Sequence, residues 1–165
     1  MQVYIMRHGQ AFTSGKSDAL RELTVQGQLE AKLMAKWFNT QKIEIDHIIV
    51  SPFVRAKQTS QQLLQQLGNK INLTTLDFTT PSGSVKQMHD YLDGICVKDN
   101  VKTLLIISHM PFVSYLVAEL TENGDCPIFQ TAGVACIDYD TERMKGDLIS
   151  LTSPYDIKNK AKLKK

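Results

Sequence analysis

The chain predicts an α/β layer architecture with a largely parallel central sheet. Three observations carry this: compact β-favouring runs recur along the sequence, stretches of helical period separate them, and basic or imidazole side chains lie just beyond three of the runs. Parallel sheets open their ligand crevices at such carboxyl ends. The first run, Val3-Tyr4-Ile5-Met6, stops at Arg7-His8-Gly9-Gln10 and reads as a strand that delivers Arg7 and His8 to its edge. Gly9 lets the backbone turn away closely. Phe12 to Glu22 mixes Ser, Gly, Asp and Lys without periodicity and reads as a surface loop overhanging that edge.

Thr24 is a suitable N-cap, and Leu29, Leu33 and Trp37 recur every four residues to make one apolar helix face through about Asn39. The run His47-Ile48-Ile49-Val50 suits a strand buried on both faces. Ser51 then reads as an N-cap and Pro52 as the first helical position, with Phe53, Ala56, Leu63, Leu64 and Leu67 as the buried face before Gly68. Arg55 falls in the first turn. Ile71 to Leu76 is a weaker strand signal, Thr79 to Ser84 has loop composition, and a short helix is expected near Val85 to Leu92. Val101 to Ser108 contains Leu104-Leu105-Ile106-Ile107, the strongest buried-strand signal, and ends at Ser108-His109 before Pro111. Val113, Leu116, Val117 and Leu120 then mark a helix. Gly133 to Tyr139 and Asp147 to Leu151 read as a closing pair of strands around a Glu142-to-Gly146 turn, which adds antiparallel character.

A length of 165 residues suits one domain, drawn here over 1–153, with 154–165 as a basic C-terminal tail. Its five lysines from Lys158 to Lys165 read as a solvated, frayed end. The apolar fraction of 42% and charged fraction of 22% are those of a soluble protein, and no apolar run approaches bilayer length. With no signal-peptide pattern at the start, the expected compartment is the cytoplasm. Cys96, Cys126 and Cys136 are odd in number and widely spaced, which argues against a disulfide framework or a zinc knuckle. A net charge of +2 is too small to imply nucleic-acid binding.

Arg7 with His8, then Arg55, then His109 therefore follow three separate strands. A phosphate fits such a cluster: the guanidiniums hold it in bidentate fashion, His109 donates from a ring nitrogen, and helix N-termini after Ser51 and Met110 add favourable dipoles. His8 is then the in-line nucleophile, neutral at the reacting nitrogen and oriented through the other by a backbone carbonyl. His47 and His89 read as structural or exposed. No metal is expected, because two arginines at these strand ends repel a dication, and no cofactor is implied.

These residues carry a resemblance. Met6-Arg7-His8-Gly9 resembles the RHG signature of the histidine phosphatase superfamily, Val50 to Thr59 resembles its second core arginine segment, and Ile107-Ser108-His109-Met110-Pro111 its second core histidine segment. The short length, the Ser17-to-Thr24 stretch and near-continuous similarity through about Ser153 resemble the SixA-type phosphohistidine phosphatases of bacteria. The resemblance implies a three-layer α/β/α, phosphoglycerate mutase-like fold and dephosphorylation of a phosphohistidine on a signalling protein; the chain is expected to be a monomer. Carried over, Arg7, His8, Arg55 and His109 form the phosphate pocket, with Arg21 a further anion contact. Larger members take a general acid from an inserted segment, whereas Leu76 to Val85 is a short loop whose nearest carboxylate is Asp77. Asp18, three residues before Arg21, is the substitute acid candidate. Two other readings remain: a broad-specificity small-molecule phosphomonoesterase, which shares the same pocket, and a non-catalytic phospho-ligand binding module, which would need a damaged core although Arg7, His8, Arg55 and His109 are all present.

Overall fold

In the computed structural model, residues 1–68, 71–98 and 101–162 are described, and among them are six strands and five α-helices, alternating up to the closing β5–β6 pair. The strands are β1 (Gln2–Arg7), β2 (His47–Val50), β3 (Asn72–Thr75), β4 (Thr103–Ser108), β5 (Val134–Asp140) and β6 (Lys145–Thr152). The helices are α1 (Val25–Thr40), α2 (Val54–Leu67), α3 (Val85–Lys98), α4 (Phe112–Leu120) and α5 (Pro154–Lys162). One sheet runs in the order β3-β2-β4-β1-β5-β6. The pairs β2–β3, β2–β4 and β1–β4 are parallel, while β5 joins β1 and β6 antiparallel.

Period-two alternation divides the core into two layers. Val3, Ile5, Ile49, Leu104 and Ile106 face α3 and α4, packing with Met88, Leu92, Phe112, Val113 and Leu116. Tyr4, Met6, Ile48, Val50, Leu105 and Ile107 face the other way, onto Met34, Ala35 and Phe38 of α1 and Ala56 and Leu63 of α2. Helices thus cover both faces, which lets the four-residue β2 be buried along its whole length. The three-layer α/β/α expectation holds.

Four local readings change. Thr24 does cap α1, its side chain accepting from the Gly27 backbone N–H, but the buried stripe is Ala31, Met34, Ala35 and Phe38. Leu29 is exposed, while Leu33 and Trp37 lie half-buried on the helix flank. The small alanines let α1 approach the sheet, and the larger residues cover the seam beside Ile157 of α5. Secondly, Ser51 is not the cap of α2: Phe53 is, with Val54 the first helical residue, although Arg55 keeps its place in the first turn. Thirdly, α3 continues from Val85 to Lys98, beyond the short helix expected. Finally, the segment expected to fray forms α5, in which Ser153 and Asp156 bond reciprocally as in a capping box and Ile157 packs against the core. Lys164 and Lys165 lie outside the described residues.

Among the described residues no helix is long and apolar enough to cross a membrane. Cys126 is exposed and Cys136 buried, both as free thiols; the side chain of Cys96 lies outside the described set.

Candidate active site

The carboxyl ends of β1, β2 and β4 bring the predicted cluster together. A cavity of about 420 Å³ is lined by Arg7, His8, Asp18, Arg21, Arg55 and His109 among others. Each group arrives by a different device. Parallel register sets Arg7 beside Ser108, so the residues following β1 and β4 leave the sheet together. The backbone N–H of His8 donates to the Ser108 carbonyl at 2.9 Å. Beyond it, Gly9 meets α1 so closely that a Cβ would stand 2.4 Å from the Gly27 carbonyl oxygen. The expected role of Gly9 is therefore met by close approach rather than by an unusual turn. Thr59 locks the same point to α2, accepting from the Gly9 N–H at 3.1 Å and donating to the Arg55 carbonyl at 2.8 Å.

His8 is 7% exposed and its two nitrogens are differentiated. Nδ1 donates to the Gly9 carbonyl at 2.7 Å, while Nε2 faces Arg55 Nε at 3.1 Å. A guanidinium can only donate, so Nε2 must present its lone pair. Burial, reinforced by the charges of Arg55, Arg7 and Arg21, lowers the His8 pKa to about 4 against the opposing pull of the Gly9 bond. The imidazole is neutral at physiological pH, with a nucleophilic nitrogen aimed among cations.

His109 is 1% exposed, its ring 5.0 Å from that of His8. Its Nε2 lies 2.6 Å from Ser51 Oγ. Burial, then the neighbouring His8 and Arg55, lowers its pKa to about 2, so only one nitrogen carries a proton. Nδ1 is a buried atom without a partner among the described residues, and it carries the proton in the tautomer in which the Ser51 hydroxyl donates to Nε2. Arg7 spends Nη1 on the Phe129 carbonyl at 2.8 Å, and its buried Nε is likewise unpartnered. Orphaned buried donors beside a cavity are what an absent oxyanion would satisfy.

Asp18 stands at the cavity mouth with its side chain 55% exposed. Oδ1 accepts from Arg21 Nε at 2.8 Å and pairs with Nη2 at 2.7 Å; Oδ2 accepts from Arg55 Nη2 at 3.0 Å. Partial burial pushes the carboxyl pKa up, but the bonds from Arg21 and Arg55 outweigh it and hold the group below its usual value. Arg21 also donates to the Phe12 carbonyl at 2.7 Å, pinning the overhanging loop.

All six sequence-named residues thus meet in one cavity. Several residues went unnoticed: Gln10, Thr131 and Met110 in the lining, Ser51 as partner of His109, and Glu30, whose buried carboxylate accepts the Gln10 N–H at 2.9 Å. Ser51 could have been found by the strand-end rule that selected His109. Thr131 precedes β5, whose amino end lies at this edge because β5 runs antiparallel to β1. His47 and His89 stay out of the cavity; both are buried, His47 bonding to Thr74 across β2–β3.

A family model for the histidine phosphatase superfamily (branch 1) matches residues 3–77. The chain is 41% identical over 162 residues to the phosphohistidine phosphatase SixA of Escherichia coli (strain K12), covering 96% of this chain and 97% of that protein. A SixA homolog of Haemophilus influenzae is 37% identical over 149 residues, 85% of this chain and 89% of the other. The solved structure of the protein histidine phosphatase SixA complexed with tungstate superposes with a TM-score of 0.91 at 39% identity, covering 95% of this chain and 99% of that one. With that fold and this cluster of arginines and histidines on three strand ends, the chain belongs to the SixA-type phosphohistidine phosphatases of the histidine phosphatase superfamily.

Proposed function

We propose that this protein hydrolyses the P–N bond of a phosphohistidine carried on a signalling protein, passing the phosphoryl group through His8. The observation that carries the reading is the fixed tautomer of His8: Nδ1 is committed to the Gly9 carbonyl, which leaves Nε2 to attack. In the proposed sequence, Arg7, Arg21, Arg55 and the Nδ1–H of His109 take the phosphoryl oxygens, and Arg55 Nε moves from His8 to one of them, freeing the lone pair. His8 Nε2 then attacks in line. Positive groups set in advance around the equatorial oxygens supply most of the stabilisation such a transition state needs. Water attacks the phospho-His8 intermediate in a second displacement, and phosphate leaves.

The acid role proposed for Asp18 requires a protonated carboxyl, whereas two guanidiniums favour the carboxylate. A P–N bond tolerates that, because a protonated imidazole is a better leaving group than an alkoxide. The test is direct: incubation with a ³²P-phosphohistidine protein domain should leave an acid-labile, alkali-stable label on the wild type and none on His8→Ala. Persistent labelling or near-normal turnover in the variant would remove His8 from the nucleophile's place.

A further inference from the structure

One anion stands on the leaving-group side of an otherwise cationic cavity. The nucleophile is buried, at 7% exposure, so in-line displacement sends the leaving group outward, towards the mouth where Asp18 stands 55% exposed. One guanidinium spans the two, with Arg55 Nε 3.1 Å from His8 Nε2 and Arg55 Nη2 3.0 Å from Asp18 Oδ2. The other charges facing this space are Arg7 and Arg21. Left to themselves, three guanidiniums would disfavour any substrate carrying a positive charge. Asp18 has capacity to offset this locally: Oδ1 is taken by both Arg21 contacts, but Oδ2 accepts a single side-chain bond.

We propose that the Asp18 carboxylate accepts the ring N–H of an incoming phosphoimidazolium and so selects phosphohistidine over phosphate monoesters. This deepens the reading given under Proposed function and rests on it. The chemistry balances without an enzyme acid. The substrate ring carries its proton on the nitrogen that does not bear phosphorus. The His8 Nε2 lone pair forms the new P–N bond while the old P–N bond breaks. Its electron pair passes to the departing ring nitrogen, and the ring leaves as neutral imidazole with its proton still in place. Without that proton it would have to leave as imidazolate. By holding the N–H, Asp18 favours the form that can depart. A phosphate monoester offers no such proton, and its leaving oxygen would face a negative group. The lowered carboxyl pKa agrees, since an acceptor must be ionised.

The experiment compares Asp18→Asn with wild type on phosphoimidazole, p-nitrophenyl phosphate and an aliphatic phosphate ester. The kcat/KM ratio of phosphoimidazole to p-nitrophenyl phosphate should fall about tenfold or more in the variant, a selective loss that a purely structural role would not produce. Equal losses on both substrates would overturn the proposal and reduce Asp18 to a clamp for Arg21 and Arg55. A loss falling hardest on the aliphatic ester would overturn it in favour of a proton donor. A wild type that leaves phosphoimidazole and phosphohistidine domains untouched would defeat the underlying phosphohistidine reading as well, an outcome separate from a ratio that fails to change.

Discussion

Two buried imidazole sites lie at opposite ends of this sheet, and they are built on opposite principles. At the carboxyl ends of β1 and β4, His8 Nε2 accepts from Arg55, His109 Nε2 pairs with the Ser51 hydroxyl, and His109 Nδ1 is left without a partner among the described residues. At the other end, His89 of α3 faces only acceptors. Its Nδ1 lies 2.8 Å from Glu119 Oε1, and its Nε2 lies 2.9 Å from the Tyr139 hydroxyl oxygen and 3.0 Å from the Met144 carbonyl. The Tyr139 proton is given to Asp93 at 3.0 Å. With both ring nitrogens partnered, His89 ties α3, α4, β5 and the β5–β6 turn together. Burial alone does not separate the two sites, since His8 is 7% exposed and His89 8%. What separates them is hydrogen-bond capacity: the structural site saturates its histidine, whereas the chemical site leaves His109 Nδ1 and Arg7 Nε without a partner among the described residues and sets the His8 lone pair against a guanidinium that an anion can draw away.

The contrast is broken most severely by His8→Ala, which should lower turnover about 10⁴-fold or more while leaving the fold intact by circular dichroism. His89→Gln should do the reverse, keeping kcat near wild type. Next in size, Arg55→Ala should cost about 10²–10³-fold in kcat, as loss of one charged donor to a transition state does, and should weaken vanadate inhibition with it. Unchanged inhibition would take Arg55 out of the anion site. On the structural side, His89→Gln should lower unfolding free energy by about 1–3 kcal/mol in urea titrations, because it leaves the buried partners of His89 imperfectly paired. Gly27→Ala sets two effects against each other: alanine gains up to about 1 kcal/mol in helix propensity, but its Cβ would stand 2.0 Å from the Gln10 carbonyl oxygen. Overpacking against backbone costs about 1–3 kcal/mol, so net destabilisation is expected. A more stable variant would show that the β1–α1 loop can yield. The last effect is on pH. Because the folded state lowers the His8 pKa from 6.5 to about 4, the unfolded chain binds more protons across that window. Stability should fall as pH drops from 6.5 towards 4, and His8→Gln should reduce that slope, leaving the part that His109, whose pKa is lowered further, contributes with the same sign.

Reading the chain succeeded where a short stretch carries its own meaning. β2 begins and ends as the run His47 to Val50 suggests, because a strand buried on both faces must be apolar throughout. Arg7, His8, Arg55 and His109 were legible because each follows, or in Arg55 closely trails, such a run. It failed where two readings were locally equivalent. Leu29, Leu33 and Trp37 make as good a stripe as Ala31, Met34, Ala35 and Phe38, and only the sheet and α5 decide which is buried. Ser51 has every local mark of an N-cap, yet its hydroxyl serves His109, 58 positions away. Ile157 gave little sign that a lysine-rich segment would pack.

By itself, then, the sequence determined the alternation of strands and helices and the residue types set at three strand ends, because period and apolarity are local properties of a chain. The tertiary structure alone decided that these ends share one cavity, which nitrogen of His8 presents its lone pair, and that Asp18 lies between two arginines. Those facts depend on sheet order, on register and on hydrogen bonds between segments distant in sequence. The order β2-β4-β1 inserts β4 between the first two strands of the chain and so brings the three ends side by side, and no local pattern encodes that adjacency.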